Sequence, residues 1–105
     1  MSFTGNEGGP ITHEAAAELT RNYRSKRSTG AILGGFIGKQ HIYKLLEQEG
    51  AMGIRIYHGE SNDGTPEIVL VAADSNEDDI MNLIVENSFK CPPSCSRKNV
   101  LNSNE

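Results

Sequence analysis

The sequence predicts an α+β fold in which two N-terminal helices pack on a three-stranded antiparallel sheet. Three observations predict it. Apolar residues recur at helical spacing over 12–26 and again after Gly38. From Met52 the apolar period shortens to that of a half-buried strand. Turn-forming clusters at 59–64 and 74–79 then divide the remaining apolar sequence into runs of strand length.

Residues 1–10 are rich in Gly and polar groups and read as a flexible arm ahead of a single domain over 11–95. Thr12 is placed to cap the first helix, and Glu14 and Glu18 put negative charge where the helix dipole favours it. Ala15, Ala16, Leu19 and Tyr23 form the expected buried stripe, and Arg21, Arg24, Lys26 and Arg27 gather at the C-terminal end. Ser28, Thr29 and Gly30 break this helix. Residues 31–37 are apolar but interrupted by Gly34 and Gly35, so they read as a buried loop or a short irregular strand.

The second helix begins near Gly38, with Ile42, Leu45 and Leu46 as its stripe and Gly50 as the left-handed residue that ends it. In the first strand Ile54 and Ile56 point one way and Arg55 and Tyr57 the other. Asn62-Asp63-Gly64 is a hairpin signal, and Pro66 restricts the start of the next strand to a site needing no N–H. The run 68–73 is almost continuously apolar, so both faces of this strand are expected to be at least partly covered. An acidic loop at 74–79 leads to 80–89, which reads as a third strand or a short helix. The Leu83-Ile84-Val85 core, Asn87 and the following Cys-Pro-Pro favour strand, and 96–105 form a polar tail.

The chain has 105 residues, a net charge of −4 and a pI near 5.3. That balance argues against nucleic acid as a general partner. The longest uncharged apolar stretch, 30–38, has nine residues, where a membrane span needs about 20. Residues 1–10 lack the basic flank and apolar run of a signal peptide, which predicts a cytoplasmic protein.

Motifs for chemistry are sparse. Gly34-Gly35-Phe36-Ile37-Gly38-Lys39-Gln40 misses the spacing of a phosphate-binding loop and carries Gln where a hydroxyl is needed. Residues 74–85 place Asp79 where a calcium loop requires glycine. His13, His41 and His58 stand far apart and share no spacing with a nucleophile or a carboxylate, so no catalytic residue is assigned.

The most distinctive motif is Cys91-Pro92-Pro93-Ser94-Cys95. An extended path would hold the two Cα atoms about 12 Å apart, beyond the reach of a disulfide. Either a disulfide or a shared metal therefore requires a turn at Pro93-Ser94. Three states stay open: free thiols, a bridge within or between chains, and ligation of zinc by Cys91 and Cys95 with further ligands. No other cofactor is called for.

Ile11-Thr12-x-Glu14 before Tyr23-Arg24, then Gly53-Ile54-Arg55-Ile56-Tyr57, then Cys91-Pro92-Pro93-x-Cys95 followed by Leu101-Asn102, together span most of 11–103. In these segments the chain resembles a family of small uncharacterised bacterial proteins with a C-terminal Cys-Pro-Pro-x-Cys motif. The resemblance implies one coherent domain and no particular activity.

The expected function is that of a non-enzymatic structural module that associates with itself or with a protein partner. Its expected contact residues are Arg21, Arg24 and Arg27 in a basic patch, Asp74, Asp78 and Asp79 in an acidic one, and Arg55 and Tyr57 on the outer side of the sheet. The alternative is a small thiol-based protein that uses Cys91 and Cys95 for zinc or for a redox-sensitive bridge.

Overall fold

The computed structural model describes residues 2–103. It is α+β, with the order α1 (His13–Ser25), β1 (Gly34–Phe36), α2 (Lys39–Leu46), β2 (Gly53–Glu60), β3 (Pro66–Ala73), β4 (Asp79–Val85) and β5 (Phe89–Cys91). The chain divides into two compact units, each built from two stretches of sequence. One comprises 1–8 and 37–88, the other 9–36 and 89–105.

The first unit is the expected antiparallel meander, in the order β2-β3-β4, with α2 on one face. Ser61, Asp63 and Gly64 make the β2–β3 turn, with Gly64 left-handed at φ 89°. The Asp63 carboxylate accepts from the Ser61 hydroxyl and from the Thr65 hydroxyl and N–H, which holds it down at about pKa 2. In the β3–β4 turn, Asp74 Oδ1 accepts from the N–H groups of Asn76 and Asp78, so this acidic side chain shapes the loop. Asp79 is already part of β4, opposite Ala73.

Leu45 is fully buried and joins Leu70, Ala72 and Val85 in the core, with Ile42, Ile54, Ile68 and Ile80 packed around them. Leu46 stands 45% exposed, so the working stripe of α2 is Ile42 and Leu45 alone. The helix ends at Leu46, earlier than expected. Gly50 does adopt φ 84°, but in the turn beyond the Glu47 cap.

The opposite face of this sheet is also covered in part, as the apolar run at 68–73 implied. Val71 and Ala73 are buried there, in the same rows as Arg55 and Asp79. The N-terminal segment reaches this end of the sheet. Phe3 N–H donates to Ser75 O, and the Phe3 ring centroid lies 5.4 Å from the Arg55 guanidinium. Glu7 ties the segment into a turn by accepting from the N–H groups of Thr4 and Gly5.

The second unit contains α1 and a two-stranded antiparallel sheet, β1 with β5, in which Gly34 pairs with Cys91 and Phe36 with Phe89. Of the two expectations for 31–37 it is the short strand that forms, though its residues are exposed rather than buried. All three residues of β1 are exposed, Phe36 by 65%. The expectation of both helices on one three-stranded sheet therefore holds for α2, while α1 belongs to this second unit.

Thr12 caps α1 as expected, its hydroxyl accepting from Ala15 N–H. The covered face is rotated from the predicted stripe. Ala17 is buried and Ala16, Thr20 and Arg24 are half-buried, whereas Leu19 is 64% exposed. These four positions span one arc of the helix, and the segment at 99–101 flanks it, with Arg24 Nη1 donating to Leu101 O. Residues 96–103 are knitted by Asn102 Nδ2, which donates to Ser96 O and Arg97 O.

Candidate functional site

The predicted contact residues fall into three places. Arg55, Tyr57 and Asp79 come together on the outer face of the first unit's sheet. Arg55 and Tyr57 are alternate residues of one strand, and both reach Asp79 across β3. Arg55 Nη1 pairs with one carboxylate oxygen of Asp79 and also donates to Glu77 O, while Tyr57 OH donates to the other oxygen at 2.6 Å. Sequence reading places these three residues on a surface for a partner. In the structure each satisfies the others.

The charges respond accordingly. The Tyr57 hydroxyl, with the Arg55 guanidinium, holds the Asp79 carboxyl below the usual aspartate range. The Asp79 carboxylate raises the Tyr57 phenol above the usual tyrosine range, because ionising the phenol would remove the donated hydrogen bond. A depressed acid contributes stability that is complete above its unfolded value of about 4 and is lost as pH falls through its folded value. A raised phenol contributes below its unfolded value of about 10 and loses that contribution as pH rises further. Asp79→Asn is thus expected to destabilise the protein by an amount that is flat between about pH 5 and 9 and shrinks at both ends. Urea denaturation of both proteins across pH checks this, and a gap independent of pH would contradict it. In the same variant the Tyr57 phenol should titrate at a lower pH in ultraviolet absorbance.

The second place is the acidic loop. Asp74 is turned inward on its own backbone, leaving Asp78 as the predicted loop carboxylate with no role in shaping the turn. The third is the end of α1. Arg24 is engaged with Leu101, and the Arg27 guanidinium lies 3.8 Å from the centroid of the Tyr23 ring. Arg21 is exposed.

Cys91 and Cys95 are joined as a disulfide, with Cα atoms 4.7 Å apart. The turn that such a closure needs is present, with Ser94 N–H donating to Lys90 O. Of the three states left open for this pair, the structure shows the bridge within the chain, in which the sulfurs are bonded to each other rather than present as thiolates. Among the described residues no group of three or more His, Cys, Asp or Glu stands together as for a metal ion. Among them, too, no helix is long and apolar enough to cross a membrane.

A further feature emerges when the charges are sorted by unit. The second unit holds seven cations, Arg21, Arg24, Lys26, Arg27, Lys90, Arg97 and Lys98, against three acids, a net of +4. The first holds three cations against eleven acids, a net of −8. Sequence reading finds the basic run at 21–27 but misses Lys90, Arg97 and Lys98, which join it through the fold from more than sixty residues away.

No protein-family model, curated protein or solved structure matches the chain.

Proposed function

We propose that the protein is a non-enzymatic module that associates with itself head to tail, the basic unit of one copy meeting the acidic unit of the next. The observation that carries this reading is the division of charge, +4 on one unit and −8 on the other. Opposite fields on two parts of one chain favour a heterologous contact, which extends into a ring or a filament. The open edges of the first unit's sheet, β2 and β4, add exposed apolar residues, with Ile56 56% and Met81 63% exposed.

Light scattering after size exclusion, run over a concentration series, tests the proposal. The mass per particle is expected to exceed that of one 11.4 kDa chain at low salt and to fall as ionic strength rises past about 0.15 M, where charges separated by more than about 8 Å are screened. Replacing Arg21 and Lys26 together by Glu should give a single chain under the same conditions. A particle of one chain at every salt and concentration would overturn the reading, as would an assembly indifferent to both salt and the substitutions.

A further inference from the structure

Independently of self-association, the surroundings of the disulfide point to a site of stoichiometric thiol chemistry. Cys95 is exposed, while Cys91 is half-buried in β5, its carbonyl accepting from Leu33 N–H at 2.7 Å. Cys95 lines a cleft of about 350 Å³ together with Arg24, Arg27, Ser28 and Thr29. The exposed cysteine of the bridge therefore lines a pocket that two arginines, a serine and a threonine also line. The other cysteine is fixed in a strand.

We propose that this cleft is a thiol–disulfide exchange site for small thiols that carry carboxylates. The arginines suit a carboxylate in charge and the hydroxyls of Ser28 and Thr29 are donors for one, so an anionic thiol is drawn towards the cleft that a cationic one avoids. The incoming thiolate attacks Cys95 Sγ. A sulfur–sulfur bond forms there, the Cys91–Cys95 bond breaks, and its electron pair leaves with Cys91 Sγ as a thiolate. The product is a mixed disulfide at Cys95, with no outside oxidant or reductant beyond the attacking thiol. Cys91 is only four positions from Cys95 in the chain, so its thiolate stays near enough to attack the Cys95 sulfur, expel the small thiol and restore the bridge.

Glutathione is the probe, and cysteamine, a thiol with a positive charge, is the control. The protein is mixed with each thiol without oxygen, free thiols are blocked by alkylation, and the modified cysteine is located by mass spectrometry. The glutathione adduct is expected on Cys95 and the alkyl group on Cys91. Per thiolate, glutathione should react at least about tenfold faster than cysteamine at low salt, a preference that added salt removes. Arg27→Glu should abolish the preference and Arg27→Lys should retain most of it. An adduct on Cys91 would overturn the proposal. So would a preference for glutathione that survives both high salt and Arg27→Glu, or the absence of any preference in the natural protein. The salt series uses the unaltered protein, so its outcome does not depend on the folding of a variant.

Discussion

Leu45→Ala is expected to cost about 2–5 kcal/mol, the largest single-residue effect in the first unit. Leu45 is fully buried and lies at the junction of α2 with β3 and β4, against Leu70, Ala72 and Val85. Alanine removes most of that side chain and leaves a void that two small neighbours cannot close from a rigid sheet. The loss is large against the total, since domains of ordinary size are stable by only about 5–15 kcal/mol. Leu46→Ala is the natural control. It lies one position along the same helix but is 45% exposed, and surface changes usually stay within about 0.5 kcal/mol. Urea denaturation followed by circular dichroism measures both, as the chain lacks tryptophan. Equal costs for the two variants would mean that α2 is seated differently.

Replacing both Cys91 and Cys95 by Ser should have the largest effect in the second unit. A single short cross-link cannot staple a whole fold, so in a unit with an ordinary core its loss would matter little. The fold changes the terms. Among the described residues of the second unit Ala17 alone is buried, and the unit is assembled from stretches of 28 and 17 residues. A unit so poor in core depends on its cross-link. Closing a loop of about five residues is worth about 2 kcal/mol by chain entropy. Hydrogen exchange reads this locally. The amides of Leu33 and Ser94, which donate to Cys91 O and Lys90 O, should lose protection by about thirtyfold. The amide of Leu70 in the other unit should not change. Undiminished protection at Leu33 would show that β1 and β5 hold without the bridge.

What was legible in the sequence was local. Thr12 advertises a helix start because its hydroxyl reaches a backbone N–H three residues on, and Asn62-Asp63-Gly64 advertises a turn because Gly64 takes a positive φ at no steric cost. The strand period over 53–60 and the apolar run at 68–73 placed the sheet and hinted that both its faces are covered. The rest depends on partners distant in the chain. Gly34-Gly35-Phe36 has little strand propensity and becomes β1 only because β5 arrives from more than fifty residues away. The covered face of α1 is chosen by the segment at 99–101, so an apolar count along the helix selects the wrong arc. The same applies to the surface residues. Arg55, Tyr57 and Asp79 read singly as contacts for a partner, and only the strand register shows that they complete one another.

The interleaving of the two units also sets an order of events during synthesis. Along the chain α1 precedes the hairpins of the other unit, while the segment that flanks it, 99–101, follows them. Between them the hairpins of the other unit are made from neighbouring sequence and can close as soon as they appear. Helix α1 must therefore wait, with Leu19 and Tyr23 in solvent as they remain in the finished fold. Its predominantly polar surface lets the nascent chain tolerate the delay, and the cysteine loop, made after those hairpins, closes on a sheet already formed rather than guiding it.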